Sequence, residues 1–171
     1  MDDATGRNFE IEIEEADRLD SALIRTLIEI DLQTFAEPTF SPYTAAAFLQ
    51  SGRVFLLRAD EAVIGTCVCM RAWERPGEAN ILSMGIRPGW RGRGLGQRFM
   101  ALVLERLDVK GMRSASLLVG ADNRRAIKVY SDVGFEVVRT VDGDPRTGSQ
   151  LVLMRKQLQV SEEARLIPLK S

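Results

Sequence analysis

Arg91-Gly92-Arg93-Gly94-Leu95-Gly96 stands between a predicted strand that ends at Ile86 and a predicted helix that opens at Leu95. Its alternating glycines let backbone N–H groups turn toward a ligand with no Cβ in the way, and the helix that follows brings its positive dipole end to the same anion. The stretch reads as a pyrophosphate cradle. A dinucleotide fingerprint starting at Gly92 needs a third glycine where Gln97 stands, and a P-loop needs Gly-Lys followed by Ser or Thr. Neither pattern is met. What remains is Arg-x-x-Gly-x-Gly, with Ile86-Arg87-Pro88 just ahead of it.

Outward from this loop, Leu95 to Lys110 carries Leu95, Phe99, Leu102, Val103 and Leu107 on one stripe, and Gly111 suits the position after a helix end. Ser114 to Val119 is the next strand. The strand to Ile86, the helix and this strand form a β-α-β crossover, so the two strands are predicted to be parallel. Upstream, Phe9 to Glu14 alternates as a half-buried strand does, and from about Asp17 the period becomes helical until Pro38 stops it. Ser41 or Thr44 caps a short helix through Leu49, and Val54 to Arg58 and Val63 to Arg71 form a hairpin around Asp60-Glu61. Downstream, Asn123 caps a helix whose Ala126, Ile127, Tyr130 and Val133 point inward, and Gly134 closes it. Phe135 to Val141 and Gln150 to Met154 complete the sheet around Asp142-Gly143-Asp144-Pro145. The reading is an α/β sandwich in one domain over residues 1–158, with 159–171 as a tail.

Composition narrows the chemistry. The 171 residues, 45% hydrophobic and 27% charged, suit one domain with a real core. No apolar run approaches the roughly 20 residues of a membrane helix, and Met1-Asp2-Asp3 is unlike a signal peptide, so a cytoplasmic protein is expected. The chain has no histidine, which removes Ser-His-Asp and Cys-His nucleophilic sites and histidine-metal sites together. Cys67 and Cys69 share one strand face as small core residues, and two thiols leave a zinc site short of ligands, so no metal is expected. A proton acceptor must then be a carboxylate, a tyrosine or ordered water.

The net charge of −1 hides an uneven distribution. From Ala79 to Leu104 there are Arg87, Arg91, Arg93 and Arg98 and no acid, whereas the first forty residues are acidic. Arginines around a glycine loop suit phosphates, and an acidic surface attracts amines. A nucleic-acid binder needs basic stripes interleaved with aromatics, and only Trp90 lies in the arginine band.

Asn123-x-x-Ala126-x-x-x-Tyr130-x-x-x-Gly134-Phe135 is a second pattern in register with the first. Together the two resemble the GNAT superfamily of acetyl-CoA-dependent N-acetyltransferases, best from about Ala79 to Phe135 and weakest before residue 50. The resemblance implies a mixed, largely antiparallel sheet with a central splayed parallel strand pair, flanked by helices. It implies acetyl-CoA as co-substrate, with its pyrophosphate at Arg91, Gly92, Arg93, Gly94, Leu95 and Gly96, its pantetheine paired with backbone near Met84, Gly85 and Ile86, and Asn123 also at the cofactor. The implied reaction is direct attack of an amine on the thioester, with a backbone N–H of the bulged strand stabilising the oxyanion. Tyr130 then matches the family's general acid, since a phenol of pKa near 10 can protonate a thiolate of pKa roughly 8.5.

The base departs from the family. Some relatives use a glutamate where this chain has Leu118, and others use one where Asn80 stands. Glu78 is the nearest substitute, as direct base or through water relayed to it or to Glu37; it also reads as a solvated strand-end residue. The acceptor is expected to be a primary amine of a peptide or protein or a small cationic amine, bordered by the Glu37 to Tyr43 loop and the last hairpin. There is a faint likeness to the ribosomal-protein N-terminal acetyltransferases, although that group's glutamate and tyrosine-rich final loop are missing. The alternative is a catalytically idle CoA-binding regulatory domain.

Overall fold

Seven strands, β1 (Ile11–Glu15), β2 (Arg53–Ala59), β3 (Ala62–Arg71), β4 (Glu78–Ile86), β5 (Ser114–Gly120), β6 (Glu136–Asp142) and β7 (Gln150–Gln157), are joined by helices α1 (Ser21–Thr34), α2 (Pro42–Ser51), α3 (Leu95–Val109) and α4 (Arg124–Asp132) in the computed structural model, which describes residues 9–16, 18–35, 39–143 and 148–159. A short 3-10 turn at Pro88–Trp90 precedes the glycine loop. Hydrogen bonding orders the strands β1-β2-β3-β4-β5-β7-β6. The β1–β2, β2–β3, β5–β7 and β6–β7 ladders are antiparallel, and β4 with β5 is the parallel pair. This is the mixed, largely antiparallel sheet with flanking helices that the sequence predicts.

The chain resolves into two compact units, Met1–Met70 with Ser83–Phe99 and Arg71–Leu82 with Met100–Ser171. In the first, α1 begins at Ser21 because the Asp20 carboxylate accepts from Leu23 N at 2.8 Å, three residues inside the apolar period. It stops at Thr34, where Phe35 turns extended; the expected stop at Pro38 lies outside the described residues, as does Glu37. Ser41 caps α2 by accepting from Thr44 N at 3.2 Å, with Pro42 in the first helical position. The core joins Leu27 of α1, Ala45 of α2, Val54 and Leu56 of β2 and Val68 of β3, all nearly water-free. Phe40 and Phe48 close it edge to face, 5.4 Å apart. Asp31 is buried in this apolar setting, where Thr39 satisfies it by donating through both its backbone N–H and its hydroxyl.

Cys67 and Cys69 are buried free thiols 3.9 Å apart on β3. The hydrogen bond to Cys69, then burial, push the Cys67 thiol well above its ordinary value.

In the second unit, α3 buries Met100, Val103, Leu104 and Leu107, while Leu102 is half-buried: the stripe is rotated slightly from the predicted one. β4 starts at Glu78 because Gly77 in a left-handed conformation (φ +88°) turns its carbonyl to accept from the backbone N–H groups of both Arg113 and Ser114. β7 runs to Gln157 rather than Met154, opposite the whole of β5. The inward positions expected on α4, Ala126, Ile127, Tyr130 and Val133, are half-buried rather than fully enclosed. The Asp144-Pro145 turn and most of the expected tail lie outside the described residues. No helix among the described residues is long and apolar enough to cross a membrane.

Candidate active site

In the first unit the glycine loop has the conformation its composition predicts. Gly92 (φ +78°) and Gly94 (φ +73°) are left-handed, which a side chain would oppose, and a Cβ at Gly92, Gly94 or Gly96 would meet open space. The first intrahelical bond of α3 is Arg98 N to Gly94 O at 3.1 Å. The N–H groups of Gly94, Leu95, Gly96 and Gln97 therefore precede the helical hydrogen-bond pattern, and Gly94 has no side chain to cap them. Donors aimed outward over space where no Cβ intrudes fit a pyrophosphate.

The arginines do different work from the one their number suggests. Arg91 turns back into the protein, donating through Nε to Ile86 O at 2.7 Å and through Nη2 to Gln33 O at 2.6 Å. Arg87 donates to Val63 O at 2.9 Å and pairs with Glu29 at 3.2 Å. Arg93 donates to Gly89 O at 3.2 Å and lies 5.4 Å over the Trp90 ring. These side chains are engaged within the protein, which leaves the exposed loop backbone as the candidate for an anion site. Arg98, the fourth arginine of the band, is exposed in the first turn of α3.

Met84, Gly85 and Ile86 end β4 directly before the loop. Gly85 is buried, and a Cβ there would strike Thr34 Oγ1 and come within 3.0 Å of Ile30 Cγ2, so the strand lies tight against α1. The same turn of α1 supplies the Gln33 carbonyl to Arg91. Sequence reading missed Gln33 and Thr34, which have no motif of their own.

In the second unit, Asn123 caps α4 by accepting from Ala126 N at 3.1 Å, which leaves its amide N–H groups available as donors. Tyr130 lies in the last turn, half-buried, with its ring 6.1 Å from that of Phe135. Its carbonyl accepts from Phe135 N at 2.9 Å, so the Tyr-x-x-x-Gly-Phe spacing is in part a helix-ending device.

Glu78 is not a solvated strand end. It is 7% exposed, lies 2.9 Å from Arg155 Nε and 3.7 Å from Arg75, and accepts from Ser116 Oγ at 2.9 Å. The Arg155 contact is an ion pair without hydrogen-bond alignment. Ser116 Oγ also lies 2.7 Å from Asn80 Oδ1. The β4–β5 ladder runs from Glu78↔Ser114 to Ile81↔Leu117 and ends there, although both strands continue. Among the described residues no group of three potential ligands is placed to hold a metal.

The sequence model of the acetyltransferase (GNAT) family matches residues 21–135, beginning at the first residue of α1, and the chain belongs to that family. It is 38% identical over 106 residues to the mycothiol acetyltransferase of Streptomyces avermitilis, a match covering 61% of this chain and 31% of that protein. The chain thus spans about a third of the length of that curated relative. In fold it is similar to the ribosomal-protein-S18-alanine N-acetyltransferase of Escherichia coli, with a TM-score of 0.75 and 18% identity over 90% of this chain and 97% of that one. It is also similar to a Bacillus subtilis acetyltransferase solved in complex with CoA, with a TM-score of 0.70 and 15% identity over 88% of this chain and 100% of that one.

Proposed function

We propose that this protein moves an acetyl group from acetyl-CoA directly to a primary amine, with no covalent enzyme intermediate. The observation that carries the reading is the uncapped start of α3 behind Gly92 and Gly94, held in place by the Arg91 contact to Ile86. In this reading Arg91 and Arg93 set the shape of the cradle, and the N–H groups of Gly92, Gly94, Leu95 and Gly96 hold the pyrophosphate. Backbone of Met84, Gly85 and Ile86 pairs with the pantetheine arm as an added strand does, and an N–H there stabilises charge on the carbonyl oxygen. Asn123 donates its amide to the cofactor. The bound thioester supplies an electrophilic carbonyl and a thiolate leaving group.

Tyr130 serves as the acid that protonates the departing thiolate. The amine's proton leaves to water. Glu78 stands six residues before Met84, about 20 Å of strand at the usual rise, and its carboxylate is engaged by Arg155, Arg75, Ser114 and Ser116. Its part in the scheme is to order that polar cluster rather than to touch the amine. The cytoplasm is the proposed setting.

Acetyl-CoA turnover against a mixed panel of amines and peptides, with the products identified by mass spectrometry, tests the reading. Acetylated amine is the expected product. Tight acetyl-CoA binding with no acetylated product from any acceptor would replace it with a CoA-binding regulatory domain.

A further inference from the structure

Residues of the second unit that share one face of β4, β5 and β7 fall into rows set by the strand register. Asn80 pairs with Ser116, and Ser116 with Arg155; with Glu78 and Ser114 one step behind, this end of the face is polar. The next row is apolar. Leu118 is directly opposite Leu153, and Leu82 follows the last paired residue of β4 on the same face as Asn80. The opposite face of the same strands, with Ala79, Ile81, Ala115, Leu117, Val119, Val152 and Met154, is buried, as a core face should be. Leu82 and Leu118 are instead 49% and 55% exposed. Two large leucines left open in one row, at the step where the parallel ladder stops, form an apolar contact surface with a polar backing.

We infer that the acceptor is an α-amine on a residue with a large apolar side chain, and that Leu82, Leu118 and Leu153 receive that side chain. The inference rests on the acetyl-transfer reading. Leu82 belongs to the same strand as Met84, two residues earlier and with the same strand parity. Charge disfavours the cationic acceptor that the acidic amino-terminal sequence suggests. Arg139 of β6 is opposite Leu153 at the far end of the row, and the Glu78 carboxylate behind it is already paired with arginines. A positive neighbour also favours the neutral form of the amine, the form that attacks.

The test compares tetrapeptides that differ only in the first residue, Leu, Met or Phe against Ser, Lys or Glu. Binding to the CoA-saturated protein is measured by calorimetry, and acetylation by thiol release. Apolar first residues should bind and react at least about tenfold better. Leu118→Glu and Leu82→Ser should each remove that preference, with Tm and the dissociation constant for CoA close to the parent's. Equal binding of all peptides, preference for lysine, or a preference that survives both substitutions overturns the inference. Apolar preference in binding with no acetylation of any peptide leaves the inference standing and removes the acetyl-transfer reading. Acetylation of cationic amines alone does the reverse.

Discussion

Arg91 donates through Nε to the carbonyl of Ile86 at 2.7 Å, five residues back along the chain, and so ties the glycine loop to the end of the strand it leaves. Arg91→Ala should weaken CoA binding roughly tenfold, about 1.4 kcal/mol, and lower Tm with it. Arg91→Lys should rescue little, because an ammonium cannot reach two carbonyls with a planar fork. Calorimetry with CoA beside thermal melts decides. Full rescue by lysine with Tm unmoved would mean that the charge itself contacts the phosphates.

Gly94 takes φ +73° with open space where a Cβ would be. Gly94→Ala should cost about 1–2 kcal/mol for the left-handed backbone. Gly94→Trp should abolish CoA binding by filling the space over the helix start. An unchanged dissociation constant for the tryptophan variant removes the cradle assignment.

Tyr130→Phe keeps the ring that lies 6.1 Å from Phe135 and deletes the hydroxyl. If that hydroxyl protonates the thiolate, kcat falls by about 10² to 10⁴ while KM for acetyl-CoA barely moves. Steady-state kinetics within twofold of the parent would make Tyr130 a packing residue.

Glu78→Gln tests structural against catalytic use of a buried carboxylate. Leaving Arg155 without its anion should cost about 3 kcal/mol, read as a lower Tm. At a temperature where the variant is folded, its rate should be near the parent's. With subsaturating amine, both proteins should speed up as pH rises toward the pKa of the amine, near 8 for an α-amine, since its deprotonation is left to solvent. Loss of nearly all activity in the folded variant would make Glu78 the base.

The elements that repeat a period or carry a cap were legible in the sequence. Asp20 apart, each helix start lies within a residue or two of its predicted capping or glycine position, because capping is local chemistry. The glycine loop was legible for the same reason: φ > 0 is a demand on one residue at a time. What escaped was set by contacts remote in sequence. Nothing near Arg91 reveals that its partners are Ile86 and Gln33, and nothing near Glu78 reveals Arg155, 77 residues later. The row of exposed Leu82 and Leu118 with half-buried Leu153 was likewise hidden, since each leucine alone reads as core.

The last turn of α1 meets both Gly85, through Ile30 and Thr34, and Arg91, through Gln33. A segment near the amino terminus therefore sets the position of both parts of the proposed donor site, although it carries no recognisable motif. Inheritance in this family should reflect that dependence. A relative's α1 grafted onto this chain would have to reproduce both the close fit of Ile30 and Thr34 against Gly85 and a last-turn backbone carbonyl within reach of Arg91, so the glycine loop is not a free-standing cassette. It travels with the helix beneath it.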